Sequence, residues 1–348
     1  MPSPLDSVTK ASGAVFAPTE PALPLHFGDA GAECRAALTG AVVRDACHLG
    51  RIRFSGDDHL GFLHRMSTND FDHLGSGSGR EAVFTDNRGR ILELGIFFRF
   101  EDQTLAIVAP GGGQRLPEWL ERFHFAERLE MKDVTEEMAM IELYGPAACP
   151  IGCQVLGAPL PAADLALLGP VDDNGVWQAR VDRFGHPALM ICGPSSILAV
   201  TWGDLLTAGA TPLGEEAYET LRIEAGLPTH GAELTDAHNP WEATLDHTIH
   251  MDKGCYIGQE VIARLDTYDK VKQHLVGLRL PGSAAVQPGD ELRAGNSAVG
   301  TVTSVCRSER FGAIALAYVR TAHAGAGPEL VCRSPSEIAV TVVSLPFA

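Results

Sequence analysis

Beyond Val271 the chain changes texture, and that change limits the fold more than any other feature. Short apolar runs at 275–280, 298–305, 314–319 and 338–344 are separated by Pro-Gly, Gly-Asn and Gly-Ala-Gly turns. Brief strands punctuated in this way are the pattern of a small β-barrel. Upstream, the spacing predicts strands near 138–143, 175–183 and 188–192 and helices near 147–156 and 195–208. These mix without regular βαβ order, which argues for an α+β fold rather than one doubly wound sheet. At 348 residues the chain is long for a single core. The expected organisation is a flexible N-terminal tail over 1–30, an α+β region of two lobes over 31–268, and a C-terminal β-barrel over 269–348.

Charge and cysteine usage narrow the function. Asp and Glu outnumber Lys and Arg by 44 to 27, a formal charge of −17, so the surface as a whole repels phosphate backbones and no direct nucleic-acid partner is expected. No apolar run approaches the roughly 18 residues of a membrane span. The eight cysteines contain no C-x-x-C pair, and only Cys149 and Cys153 lie close in sequence, as suits free thiols in a reducing compartment. The first arginine is Arg35, after Asp6, Glu20 and Asp29. That is unlike a transit peptide, so a cytoplasmic protein is expected.

The densest chemistry lies at 253–260, K-G-C-Y-I-G-Q-E. A thiol is reactive as thiolate, and its pKa falls beside a cation or at a helix N-terminus. Lys253 stands two residues before Cys255, and 259–264 reads as a short helix. Gly254 and Gly258 permit tight backbone. The alternative is a turn holding a small buried cysteine. A second candidate is Glu224: the helix expected over 213–226 carries an apolar stripe through Ala217, Leu221 and Ala225, and Glu224 projects from that inward face. A carboxylate there needs a partner, either an internal arginine or a ligand.

Other groupings carry less. Asp86-Asn-Arg-Gly89 has hairpin-turn chemistry between strands at 81–85 and 91–98. Gly75-Ser-Gly-Ser-Gly79 reads as a flexible link. Gly111-Gly-Gly113 lacks the Lys-Ser/Thr of a phosphate loop and reads as a strand-to-helix turn. His247-x-x-His250 on an alternating stretch faces two sides, and His230 with Glu233 is only a pair, so no metal site is expected. No G-x-S-x-G supports a hydrolase.

The 253–260 segment resembles the signature of the folate-binding YgfZ family, relatives of the glycine-cleavage T-protein (aminomethyltransferase). The likeness continues through 261–268 and 271–278 and is nearest the cyanobacterial and plastid branch. Leu221-Arg-Ile-Glu-Ala-Gly-Leu-Pro228, Gly50-Arg-Ile-Arg-Phe-Ser-Gly-Asp57, Met66-Ser-Thr-Asn-Asp70, Tyr144-Gly-Pro-Ala147 and Gly300-Thr-Val-Thr-Ser304 extend it. The resemblance implies two intertwined α+β lobes plus a C-terminal barrel around a central folate pocket. It implies tetrahydrofolate as cofactor, with Glu224 on the pterin ring.

The chain departs from true aminomethyltransferases in the hairpin, where Leu92-Glu93 replaces their Asp-Asp pair. On a strand only one of the two can face inward.

Two functions follow from the resemblance. In the first, an accessory protein uses tetrahydrofolate and Cys255 to assist iron–sulfur cluster assembly or repair in client proteins, with Lys253 lowering the thiol pKa and Tyr256, Gly258, Gln259 and Glu260 supporting the loop. In the second, a folate-dependent methyl- or aminomethyltransferase handles the amine through Glu93 or Asp86, which needs acid and base but no thiol. A folate-binding scaffold without chemistry is the third reading.

Overall fold

The computed structural model describes residues 3–18, 22–169, 175–268, 270–282, 285–327, 329–333 and 337–348. Asp269, beside the expected boundary, lies outside the described residues. The chain forms two compact units, one of Met1–His64, Asp70–Glu81 and Gly95–Tyr218, the other of Arg65–Asn69, Ala82–Leu94 and Glu219–Ala348. The two excursions, 65–69 and 82–94, are short pieces of the second unit that interrupt the first.

The first unit is built on a six-stranded sheet in the order Leu167–Leu168, Trp177–Arg180, Leu189–Gly193, Ala139–Tyr144, Val42–Asp45 and Thr211–Pro212. Strands Ala139–Tyr144 and Leu189–Gly193 are buried at every position. Glu142 apart, they read as apolar runs because both faces are covered. Ile141, Leu143, Leu189 and Ile191 pack on one side against Ala148, Leu198, Trp202 and Leu205 from the helices Ala148–Leu156 and Ser195–Thr207. Met140, Met190 and Cys192 face the other way, onto Phe98, Leu105 and Ile107. This is the strand period of two expressed as layers.

Two expectations are corrected in this unit. Residues 3–12, expected in a flexible tail, are ordered against the sheet layer: Asp6–Ala11 is helical, Leu5 is fully buried in the helix-side core, Ser3 Oγ donates to Asp45 Oδ2 at 2.5 Å, and Trp202 Nε1 donates to Ser12 Oγ at 3.1 Å. One leucine filling a gap gives too short a pattern to register as periodicity. The 75–79 stretch is no free link either, since Gly77 N donates to Arg99 O and Leu167 N to Gly77 O. The glycine triplet opens the helix Gly112–Leu120, as expected. A Cβ on Gly113 would lie 2.8 Å from both Asp133 carboxylate oxygens, so the protein's own acid sits beside this helix start.

The second unit contains the expected barrel, closed in the order Gln273–Arg279, Gly312–Arg320, Ser297–Ser308, Glu291–Ala294, Glu329–Arg333 and Glu337–Val343. Val276, Leu278, Ala315, Ala317 and Val319 fill its interior. Leu275, Ile314, Leu316 and Tyr318 point out onto Ile223, Leu234 and Leu245. The stretch expected to alternate as a strand near 245–251 instead holds a 3-10 turn, Asp246–Thr248, with Thr248 Oγ1 donating to Leu245 O at 2.7 Å.

Candidate functional site

Cys255 is exposed, which excludes the small buried cysteine. The loop that carries it is tied down on both sides. Lys253 is only 9% exposed, and its ammonium donates to the carbonyls of Ser67 at 2.7 Å and Asn69 at 2.8 Å while lying 5.0 Å from the Tyr256 ring centre. Carbonyl dipoles and an aromatic face are what a desolvated ammonium requires. Burial in turn pushes the Tyr256 hydroxyl up to about 12.

On the other side Thr85 Oγ1 donates to Ile257 O at 2.6 Å. Gly258 is left-handed at φ 87, and a Cβ there would stand 2.6 Å from the Asp86 carbonyl oxygen, so only glycine fits. Gln259 N donates to Tyr256 O and opens the helix Gln259–Thr267, with Glu260 exposed in its first turn. Trp241 Nε1 holds the helix through Ile262 O at 3.0 Å. The structure thus gives Lys253, Tyr256, Gly258 and Gln259 the work of holding a loop whose tip carries the thiol.

Glu224 is buried, 6% exposed, and both its oxygens are engaged: Oε1 accepts from Ser308 Oγ at 2.6 Å and Oε2 from Arg310 Nη1 at 3.2 Å. An arginine, one of the two partners open from sequence, is therefore present, although Arg310 is itself exposed rather than internal. Of the Leu92-Glu93 pair it is the acid that points inward: Glu93 is 2% exposed on the face it shares with Ile91, and Leu92 is half-buried. Asp86 is spent locally. Its Oδ1 accepts from Arg88 N and Arg90 N and its Oδ2 from Arg88 Nε; burial raises its pKa, but these bonds outweigh it and leave the carboxyl below its usual range. Asp86 builds the hairpin turn.

One polar cluster escaped the sequence reading. Arg44, buried at 3% exposed, donates to Glu215 at 2.9 and 3.0 Å and to Glu142 at 2.7 Å, and its guanidinium lies 3.6 Å from the Tyr218 ring centre. Phe184, at the strained value φ 54, packs tilted against Tyr144 and edge-on against Tyr218, with ring centres 5.1 and 5.9 Å apart. Arg44 Nη2 also meets His48 Nε2 at 3.2 Å. A guanidinium can only donate, so Nε2 accepts and the imidazole is neutral with its proton on Nδ1. Burial, then Arg44, pushes His48 down to about 4. No motif spacing links residues 44, 142 and 215.

Among the described residues no three His, Cys, Asp or Glu side chains converge as a metal site, and no helix is long and apolar enough to cross a membrane.

Comparison with known proteins agrees with this architecture. The GCVT N-terminal domain matches residues 5–253, and the glycine cleavage T-protein C-terminal barrel domain matches residues 273–348. A chloroplastic protein of Arabidopsis thaliana, named as a transferase, is 36% identical over 83% of this chain and 67% of its own length. An aminomethyltransferase of Rubrobacter xylanophilus is 31% identical over 93% of this chain and 88% of its own. The crystal structure of glycine cleavage system aminomethyltransferase T from Bartonella henselae superposes with a TM-score of 0.91 at 23% identity, covering 100% of this chain and 98% of that one, a likeness of fold. With both domains matched in order along nearly the whole chain, the protein belongs to the glycine cleavage T-protein family.

Proposed function

We propose that this chain is a tetrahydrofolate-binding accessory protein of the YgfZ type, cytoplasmic, that assists iron–sulfur cluster assembly or repair in client proteins through Cys255. The observation that carries the reading is the contrast within 253–260: an exposed thiol on a loop anchored by the buried, hydrogen-bonded Lys253 on one side and by the Thr85 bond to the Ile257 carbonyl on the other. A loop needed only to connect two elements has no use for a buried lysine, because desolvating an ammonium costs several kcal/mol unless its partners are fixed in place. Fixing the loop presents the sulfur at a constant position to a partner, as a redox, persulfide or transient cluster group.

Folate enters through the family. Glu224 and Glu93 are its candidate carboxylates in the second unit, and Glu142 with Glu215 is a separate candidate in the first; each suits the donor-rich edge of an aminopyrimidine.

A thermal-shift panel of reduced folates tests this on wild type, Glu224→Ala, Glu142→Gln and Cys255→Ser. A folate that binds the folded state raises the melting temperature, and the raise should survive in Cys255→Ser and shrink in a carboxylate variant. No shift with any reduced folate in the wild type removes the folate reading. For the thiol, iodoacetamide should label Cys255 ahead of the other seven cysteines at neutral pH; equal rates would remove its role.

A second reading, folate-dependent aminomethyl transfer, is favoured by one observation. Glu93, not Leu92, is the buried member of the pair, so an inward acid is retained where true aminomethyltransferases carry theirs. Formation of methylenetetrahydrofolate from an aminomethyl donor, lost in Glu93→Gln and kept in Cys255→Ser, would select it.

A further inference from the structure

We propose that Cys149 and Cys153 form a two-thiolate site for a soft, two-coordinate d10 cation of the Cu(I) type. Both are free thiols on the helix Ala148–Leu156. Four residues apart, they stand one above the other on a single helix face. Gly152 belongs to the same face, and a Cβ there would come within 2.4 Å of Leu189 Cδ1 and 3.2 Å of Leu143 Cδ2. The glycine therefore lets this face press closely onto the sheet. Cys149 lies at the inner end, 8% exposed, and Cys153 at the outer end is half-buried, so an ion can enter past one and be held by the other.

The spacing selects the chemistry. A disulfide needs Cβ atoms about 3.5–4.5 Å apart, whereas i,i+4 neighbours on a helix hold theirs about 5–6 Å apart. Direct oxidation would have to break the helix. One bridging ion has the reach: metal–thiolate bonds are about 2.3 Å, so a linear S–M–S unit spans about 4.6 Å. No third His, Cys, Asp or Glu converges on a metal site among the described residues, which disfavours tetrahedral Zn(II) and leaves ions content with two soft ligands.

Binding exchanges two S–H protons for one cation: two thiols and Cu(I) give a bis-thiolate complex of charge −1 and two released protons. Arg180 Nε and Nη2 bond Asp182 at 2.7 and 2.9 Å, and this pair is near enough for both charges to act on Cys149. The guanidinium is the counter-charge within reach of the complex. Burial raises both thiols, so occupancy should grow with pH.

The test loads the full-length Cys255→Ser chain with Cu(I) under anaerobic conditions against a bicinchoninate competitor, then repeats it with Cys149→Ser and Cys153→Ser added singly. The proposal expects one tightly held ion per chain with two sulfur neighbours by X-ray absorption. Each serine should weaken it by about a hundredfold or more, roughly 3 kcal/mol. Because Cys153 is partly exposed, its serine variant keeps the fold, and an unchanged thermal midpoint without copper checks this. Retention in Cys153→Ser with loss in Cys149→Ser, or equal affinity in all three chains, overturns the two-thiolate site.

Discussion

One buried cation in each unit shows two ways of holding charge inside a protein. In the first, Arg44 is neutralised inside the protein by Glu142 and Glu215 and covered by Tyr218. In the second, Lys253 donates to the backbone carbonyls of Ser67 and Asn69, while the Cys255 that its loop carries is exposed. A guanidinium with five fixed donors can hold several acids at once, whereas an ammonium is a point charge that organises whatever carbonyls surround it. The first arrangement makes a rigid charged interior. The second makes a positioned loop.

Breaking the first arrangement should cost most. Arg44→Met leaves two acids buried without their cation, and removal of one partner from a buried ion pair costs about 3–5 kcal/mol. Urea titration followed by hydrogen exchange in 42–45 and 139–144 should show that loss; a cost below about 1 kcal/mol would mean the acids simply take up protons.

Acid should next act on both units together. Burial with Arg44 holds His48 at about 4, and burial with Arg90 holds His238 at about 4, against an ordinary 6.5. Between those values the unfolded chain binds more protons than the folded one, so stability present in full above pH 6.5 is lost as pH falls toward 4, by up to about 3 kcal/mol per histidine. His48→Gln should flatten that dependence for the first unit and leave it in the second. A slope unchanged by the substitution would place the acid sensitivity elsewhere.

Lys253→Met should cost less than Arg44→Met, about 1–3 kcal/mol, because it strands two carbonyls rather than two charges. It should also slow iodoacetamide labelling of Cys255, since the loop that presents the sulfur loosens; unchanged labelling would separate the lysine from the thiol. The smallest effect belongs to Cys255→Ser, an exposed isosteric change expected to alter stability by no more than about 0.5 kcal/mol while abolishing function in an iron–sulfur client assay. A large stability loss there would reassign the cysteine to packing.

The barrel, the hairpin at Asp86 and the helix after Gly258 were legible along the chain because each is decided by neighbours in sequence: turn residues at fixed offsets, apolar runs of strand length, a glycine before a helix. The inward turn of Glu93 was half legible, since alternation says that one of two adjacent residues faces in but not which. Glu224 illustrates the next step. Its place on an inward face followed from helical spacing, but the identity of Arg310 and Ser308 as its partners depends on a barrel strand and turn more than eighty residues away.

The sequence alone determined the kinship with the glycine cleavage T-protein and the α+β-plus-barrel plan, because these rest on local order. Tertiary structure alone decided that Leu5 folds into the core, that Arg44, Glu142 and Glu215 meet, and that Lys253 is buried while Cys255 is not. Those facts depend on which distant segments share a low-dielectric interior, and a charge's partners there are chosen by proximity in space, which no spacing along the chain encodes.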